Sequence, residues 1–163
     1  MSDKQQPVIE KLNQLGISYE LVQHPAVFTI AQMEAEEIFR HGDVCKNLFL
    51  RDDKGRNHFL VVLDKGKQAD LRQIAGQLGS SKLSFASEER LQKYLGLEKG
   101  AVTPLGVIND QAHEVTVVLD ADLAGRPNLG VHPNENTASV FLSYQDLLRY
   151  IGDCGNPVIV ANI

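Results

Sequence analysis

Residues 43–50 have the sequence DVCKNLFL, and the rest of the chain is organised around them. Val44, Leu48 and Leu50 recur at every second position, which predicts a β-strand with one apolar face. Lys46 falls on that same face. Because an unpaired buried charge is strongly destabilising, its ammonium group needs a partner or a cleft. The ordinary alternative is a lysine at a sheet edge that keeps its charged head in water.

The composition limits the class of protein. The chain has 163 residues, of which 43% are hydrophobic and 23% charged, as expected for one globular domain spanning residues 1–163. No apolar run is long enough to cross a bilayer, and the first residues, MSDKQQ, lack the apolar core of a signal peptide. The two cysteines, Cys45 and Cys154, have no zinc-binding spacing with the histidines. We therefore expect a cytoplasmic protein with reduced thiols and no membrane partner, metal or cofactor.

The charge is unevenly distributed along the chain. A formal net charge of −5 argues against non-specific binding of nucleic acid. Residues 65–99, however, contain seven Lys or Arg and four Asp or Glu, so this basic segment is +3 and the remainder is −8. The segment can meet a phosphate backbone, and Arg72, Lys82 and Lys93 are its candidate contacts. A solvated helical face is the commoner cause of such a run and stays the alternative.

Apolar periodicity and capping residues predict a series of helices and strands. Strands come in pairs and helices in pairs, which favours an α+β fold with a mixed sheet over a doubly wound one. The turn at residues 51–56 predicts an antiparallel hairpin, and the apolar strand after it should be covered on both faces. The helices are predicted at 3–15, 28–39, 70–78, 87–95 and 143–152, and the strands at 17–22, 43–50, 58–64, 82–85, 115–119, 140–142 and 158–160.

The start of the second predicted helix is apolar. Thr29 is placed to cap it, with Gln32 completing a capping box, and Phe28 is placed to pack on Met33 as a hydrophobic staple. The apolar residues of this turn form either core or one wall of a small pocket. They are Val27, Phe28, Ile30 and Met33.

Two loops are candidates for ligand contact. Residues 100–106 place glycine and proline at a fixed interval, and glycine permits close approach of backbone to a ligand while proline fixes the loop end. Residues 130–139 are dense in polar groups. No Ser-His-Asp or Cys-His arrangement is evident. Cys45 should point away from the Lys46 face, and we expect it to be a small buried apolar residue.

Several short motifs together resemble the YbaK/ProX superfamily, free-standing relatives of the editing domain of bacterial prolyl-tRNA synthetases. The motifs are HPAVFT at residues 24–29, Lys46-Asn47, the Gly-x-x-x-Pro loop at residues 100–104 and GVHP at residues 130–133. The resemblance covers nearly the whole chain. It implies a single domain in which helices flank a mixed, mostly antiparallel curved sheet.

The resemblance also implies a function, the hydrolysis of the ester that joins a wrong amino acid to the 3′ end of a tRNA. The motifs at residues 24–29 and 46–47 resemble the alanine-specific branch, which acts on tRNA for proline, and the cysteine-specific branch is the alternative. The implied partner is the acceptor end of that tRNA, with prolyl-tRNA synthetase as a second partner. Two other classes stay open: a tRNA- or synthetase-binding module without activity, and a hydrolase of an unrelated small ester or amide.

The family motifs carry over to particular residues of this chain. Lys46, Gly100 and His132 match the family's functional positions, and Asn47 is added as their neighbour. These four residues are the catalytic candidates. If the substrate is a tRNA, the basic residues Arg72, Lys82 and Lys93 are the candidate tRNA contacts. The candidate substrate-binding residues are Val27, Phe28, Ile30, Met33, Ala101, Val102, Thr103, Pro104, Asn136, Thr137 and Ser139.

Overall fold

A computed structural model describes residues 2–163, in which five α-helices pack on a mixed eight-stranded sheet. The helices are α1 (Gln6–Gln14), α2 (Ile30–Ala35), α3 (Leu71–Leu78), α4 (Glu88–Leu95) and α5 (Tyr144–Cys154). The strands are β1 (Glu20–Gln23), β2 (Asp43–Arg51), β3 (His58–Asp64), β4 (Ser84–Phe85), β5 (Val115–Asp120), β6 (Leu129–Val131), β7 (Ala138–Leu142) and β8 (Val158–Ala161). Short 3-10 helices span Ile38–His41, Pro104–Asn109 and Ala121–Leu123.

The strand order confirms the predicted α+β fold with a mixed sheet. The order is β1-β7-β6-β2-β3-β5-β8, with β4 paired to β2 outside this path. β2 and β3 form the predicted antiparallel hairpin, and β2–β4, β1–β7 and β6–β7 are antiparallel as well. β2–β6, β3–β5 and β5–β8 are parallel. The antiparallel pairs thus hold only a narrow majority over the parallel ones.

One edge of β2 is paired only at its two ends. β6 pairs with Asp43 and Val44, and β4 pairs with Leu50 and Arg51. Between these contacts, residues 45–49 have a strand partner only on the β3 side. We call this stretch the open edge of β2. It is the point where the sheet leaves room for a site beside a buried strand.

Helices cover both faces of the sheet. α3 packs on one face through Ile74 and Ala75, in the same apolar cluster as Leu50. α1, α4 and α5 pack on the other face, in the cluster that contains Cys45 and Phe49. β3 is buried at six consecutive residues from His58 to Leu63, as its apolar sequence predicts. No helix within residues 2–163 has the length and apolar character needed to span a bilayer.

Several predicted boundaries are wrong. α2 ends at Ala35 rather than at residue 39, because Glu37 adopts a left-handed conformation (φ 57°) and begins a 3-10 turn. α5 continues through Gly152, which was expected to end it, and its left-handed cap is Gly155. The first strand begins at Glu20, three residues later than predicted. The capping residues themselves are correct, with Thr29 and Gln32 forming the predicted capping box.

Candidate functional site

A cavity of about 240 Å³ lies at the open edge of β2. β2 forms one side of it, α2 and the residues before it form a second side, and the loop at residues 100–102 forms a third. We call it the β2 cavity. It is lined by Val27, Phe28, Thr29, Ile30, Met33, Cys45, Lys46, Asn47, Gly100, Val102 and His132. The structure therefore brings together all four catalytic candidates and the apolar turn at the start of α2.

Lys46 is half-buried in the wall of the β2 cavity. Its Nζ atom donates a hydrogen bond to the backbone carbonyl oxygen of Lys67, at 2.5 Å. No carboxylate within residues 2–163 forms an ion pair with Lys46, although Lys67 nearby has two such partners. An ammonium group has three donors, so two remain for a ligand beside a charge that no counter-ion neutralises.

The carbonyl that holds Lys46 is itself fixed by the side chain of Lys67. Lys67 forms ion pairs with the buried carboxylate of Asp120 at 2.8 Å and with Asp122 at 2.5 Å. Hydrogen bonds from Lys67 to these two carboxylates raise the pKa of its ammonium group. Its Nζ atom also donates to the carbonyl of Ile163. These contacts fix the turn after β3, and with it the position of the Lys46 ammonium.

Asn47 follows Lys46 and also reaches the β2 cavity. Its side-chain oxygen is buried and accepts no hydrogen bond from any group in residues 2–163. Its side-chain nitrogen makes only a long contact, 3.5 Å, with the carbonyl of Cys45. Because a buried acceptor without a donor is costly, the Asn47 amide is suited to receive a donor from a ligand.

At Gly100 the backbone forms part of the cavity wall, at a position where a side chain would clash with its neighbours. Its φ of 91° lies in the left-handed region. A Cβ atom there would lie 2.7 Å from the Phe28 ring and 3.3 Å from the side-chain nitrogen of Asn136. The left-handed φ and the lack of space for a Cβ atom both favour glycine. The short distance also shows that the Phe28 ring lies against the loop. Phe28 is 64% exposed and borders the cavity, so most of its ring stays uncovered, and the staple of Phe28 on Met33 stays a prediction.

His132 is buried and lines the cavity. Its Nδ1 atom lies 2.8 Å from the carbonyl oxygen of Ala138, so Nδ1 carries the proton and Nε2 is an acceptor. Burial lowers the pKa of His132, and the neighbouring His24 lowers it further, while the bond to Ala138 acts in the opposite direction. The imidazole is therefore neutral near pH 7 and offers a lone pair rather than a charge.

Cys45 lines the cavity but is not an activated nucleophile. Burial, together with the charge of Asp64, raises the pKa of its thiol to about 12. A thiol with such a pKa has almost no thiolate at neutral pH. The other hydroxyl-bearing or thiol-bearing residue in the lining is Thr29, whose hydroxyl caps α2 by accepting from the amide of Gln32. The lining thus points to water as the attacking group.

Apart from Val102, the remaining substrate-binding candidates do not line the β2 cavity. Thr103 is fully buried and donates to the carbonyl of His132, so it ties the loop to the histidine segment. Asn136 bonds the carbonyl of Val27, and Ser139 lies 2.9 Å from Nε2 of His24. These three side chains support the walls. Ala101, Pro104 and Thr137 also do not line the cavity, while Val102 does.

The three basic candidates do not share one surface. Arg72 and Lys82 border an apolar cavity of about 710 Å³ beside α3. Lys93 belongs to α4, which packs on the opposite face of the sheet, and its Nζ atom lies over the ring of Tyr94. Sequence reasoning treated these residues as one segment, because distance along the chain says nothing about which face each helix covers.

Sequence reasoning also missed residues that border the site. Thr29 lines the β2 cavity, but its role as a helix cap hid this second position. Lys67 anchors Lys46 through its backbone, which no side-chain pattern reveals. Phe85 is an exposed aromatic residue on β4, and a phenylalanine next to serine in a short strand was the available signal.

The chain belongs to the aminoacyl-tRNA editing domain family, whose model matches residues 24–150. It is 53% identical to "Prolyl-tRNA editing protein ProX" of Acetoanaerobium sticklandii over 154 residues, which cover 94% of each chain. It is 35% identical to "Prolyl-tRNA synthetase associated domain-containing protein 1" of Danio rerio, over 98% of this chain and 88% of that one. Family membership confirms the resemblance and the enzyme class predicted from the motifs.

A solved structure of a candidate trans-editing enzyme for prolyl tRNA synthetase has the same fold. It matches with a TM-score of 0.76 at 23% identity, over 99% of this chain and 97% of that one. At this level of identity the likeness shows the architecture alone, and it agrees with the single-sheet α+β arrangement described above.

Proposed function

We propose that the protein hydrolyses the ester between alanine and the 3′ end of tRNA for proline. One observation carries this proposal: the Lys46 ammonium, without a carboxylate partner in residues 2–163, stands in the wall of a cavity of only about 240 Å³. The cationic group suits an ester carbonyl or a terminal phosphate, and the apolar side chains at the start of α2 suit the methyl group of alanine. The family and the prolyl-tRNA editing relative support the editing of aminoacyl-tRNA, and the choice of alanine rests on the cavity.

In the proposed reaction, each residue around the ester has a role. In hydrolysis, water adds to the carbonyl carbon, the bond to the ribose oxygen breaks, and that oxygen leaves as a hydroxyl. The free donors of Lys46 stabilise negative charge that develops on the carbonyl oxygen. The Nε2 lone pair of His132 and the side-chain oxygen of Asn47 accept from the water, the ribose hydroxyl or the amino group of alanine. The neighbouring hydroxyl of the ribose supplies further assistance from the substrate itself.

Selectivity in this proposal is steric. Val27, Ile30 and Met33 form an apolar wall, and Val27 and Met33 also belong to a packed cluster with Ile38 and Phe141. A wall that is part of the core resists expansion, so it excludes the larger proline ring while it admits a methyl group. Exclusion of the larger, cognate residue is what an editing site needs, because weak binding differences between small apolar groups discriminate poorly.

The direct test is deacylation of alanyl-, cysteinyl-, seryl- and prolyl-tRNA for proline, measured side by side. We expect the alanyl ester to be hydrolysed fastest and the prolyl ester to be spared. Preference for the cysteinyl ester would move the protein to the other branch. Hydrolysis of none of the four would favour a binding module. Recruitment by a prolyl-tRNA synthetase stays a prediction from the family resemblance, and co-sedimentation of the two purified proteins with and without tRNA tests it.

A further inference from the structure

A second cavity adjoins the β2 cavity along the open edge of β2. It has a volume of about 380 Å³ and shares two lining residues, Asn47 and Val102, with the β2 cavity. Leu48 and Phe49 of β2, Phe85 of β4 and the first turn of α4 form its other walls. We call it the Phe85 cavity. The open edge of β2 thus borders two chambers in a row, with Asn47 at the boundary.

The chemistry of an aminoacyl ester requires a neighbouring chamber. When alanine occupies the β2 cavity, the ribose that carries it lies at the mouth, and the attached base must occupy space beside it. The structure offers two adjoining spaces. One is the Phe85 cavity, and the other is a chamber of only about 110 Å³ near Phe28 and Asn136, whose lining includes the carboxylates of Glu98 and Glu135. The larger and more apolar Phe85 cavity is the better match for a flat purine.

Phe85 itself has the exposure of a binding residue. It is 62% exposed, although its strand is paired to β2 at Leu50. The exposed large apolar side chains of residues 2–163 are Phe28, Phe85, Ile159 and Val160. The two aromatic residues among them border the adjoining cavities, and the two aliphatic ones lie on β8. An exposed aromatic ring beside a chamber is the arrangement on which nucleobases stack.

Lys99 adds positive charge at the same place. It lines both the Phe85 cavity and the small chamber near Asn136. Its ion pair with Glu88 is long, at 3.9 Å, and both side chains are largely exposed. Such a pair is screened by solvent and contributes little, so the ammonium of Lys99 is available to a phosphate group.

We propose that the Phe85 cavity binds the 3′-terminal adenine of the tRNA, stacked on the Phe85 ring, with Lys99 beside the adjoining phosphate. This inference rests on the proposed function, since it takes the alanyl ester to occupy the β2 cavity. Asn47 then lies between ester and base, where its free side-chain oxygen meets the ribose. Phe85 acts as a positioning residue that fixes the nucleoside and thereby the ester.

The test combines a binding probe with kinetics. The probe is an acceptor-stem minihelix of the proline tRNA that carries 2-aminopurine in place of the terminal adenine, whose fluorescence is quenched by stacking. We expect wild type and Phe85→Trp to quench it, and Phe85→Ala and Phe85→Leu to lose the quenching. With alanyl-tRNA as substrate, we expect Phe85→Ala to raise KM about tenfold while kcat changes less. Phe85→Leu separates stacking from apolar contact, because it keeps apolar area but has no π-face.

The matched control is Val160→Ala, which removes an exposed apolar side chain from β8 at one end of the sheet. It should change neither quenching nor KM. Wild-type quenching and KM in Phe85→Ala would overturn the inference, and loss of both in Phe28→Ala instead would place the base at the small chamber. If wild type hydrolyses alanyl-tRNA and Phe85→Ala does so equally well, the base site fails and the proposed function stands. If wild type hydrolyses none of the esters, while Phe85→Ala still abolishes quenching, the proposed function fails and the base site stands.

Discussion

The Nζ atom of Lys46 lies 2.5 Å from the backbone carbonyl oxygen of Lys67. One lysine therefore holds the charged head of another, through its backbone and not its side chain. The side chain of Lys67 is at the same time tied to the buried carboxylate of Asp120. The result is a cation that is fixed in place without being neutralised, and this arrangement suits a group that must stabilise charge appearing only during reaction.

Removal of the Lys46 ammonium should abolish most activity. We expect Lys46→Ala to lower the rate of alanyl-tRNA hydrolysis by roughly two orders of magnitude, as for loss of a donor to a developing oxyanion. Melting temperature should stay near that of wild type, because no ion pair with a residue of 2–163 is broken. The control is Lys54→Ala, in the exposed turn between β2 and β3. A Lys46 variant that melts far below wild type would show that Lys46 is structural.

Loss of the Lys67 side chain should act on Lys46 indirectly. Lys67→Met leaves the buried carboxylate of Asp120 without its cation, which should destabilise the protein by about 3 kcal/mol. Below the melting transition, we expect kcat to fall while KM for alanyl-tRNA changes little, because the Lys46 head loses its fixed position. Lys67→Arg should restore part of kcat. If Lys67→Met lowered stability and left kcat unchanged, the carbonyl would hold Lys46 without help from the side chain.

Truncation of the apolar wall should relax selectivity. Ile30 is half-buried and lines the β2 cavity, so Ile30→Ala should enlarge the chamber at modest cost and admit 2-aminobutyryl- and prolyl-tRNA. Met33→Ala should do the same but lose about 2–5 kcal/mol, since Met33 is also core. Ile38→Ala is the matched control, because Ile38 belongs to the same cluster without lining the cavity. Unchanged preference among the three esters in both wall variants would place the selectivity wall elsewhere.

Two buried histidines should make the fold sensitive to acid. Burial lowers the pKa of His58 and of His132, and Arg90 beside His58 lowers its pKa further. Below about pH 6.5 the unfolded chain therefore binds more protons at these histidines than the folded chain does, so the free energy of unfolding should fall as pH drops through this window. Denaturant unfolding between pH 7.5 and 5 measures this slope. His132→Asn keeps a donor for the Ala138 carbonyl and should flatten the slope, and an unchanged slope would contradict the assignment.

Charge reversals on α3 and α4 should show which face of the sheet binds the acceptor stem. If the acceptor stem continues from the Phe85 cavity, whose wall includes α4, Lys93→Glu should weaken tRNA binding and reduce its salt dependence by about one counterion. Arg72→Glu and Lys82→Glu, on the α3 side, should have smaller effects. Binding of the proline tRNA is measured across a salt series, with alanyl-adenosine hydrolysis as the control for pocket integrity. Larger effects from Arg72 and Lys82 would place the stem across α3.

The sequence was informative wherever a local rule decides the structure. Period-two apolar residues predicted β2 with Lys46 on its apolar face, and the capping box of Thr29 and Gln32 predicted the start of α2 that the structure shows. It was uninformative about the open edge of β2. That edge exists because β6 pairs with Val44 and β4 with Leu50, and no local pattern fixes a pairing between segments so far apart.

For the site residues as well, the sequence predicted the segments but not the direction of each side chain. Gly100 and His132 came from motifs and lie in the cavity, whereas the loop between Gly100 and Pro104 points inward only at alternate positions. Thr103 is buried in a backbone contact for this reason, although it lies within the motif. Motif membership therefore marked the correct segments, but the direction of each side chain depended on turns that the neighbouring core imposes.

The strand order has a consequence for how the enzyme is made. Glu20 of β1 pairs with Phe141 of β7, and Val44 of β2 pairs with Gly130 of β6. A nascent chain that has emerged only to β5 can form the β2–β3 hairpin, but it lacks His132 and the strand β7 that pairs with β1. Contacts between such distant segments form late, after long loops have closed. Deacylase activity should therefore appear on the ribosome in a single step, once β7 has left the exit tunnel.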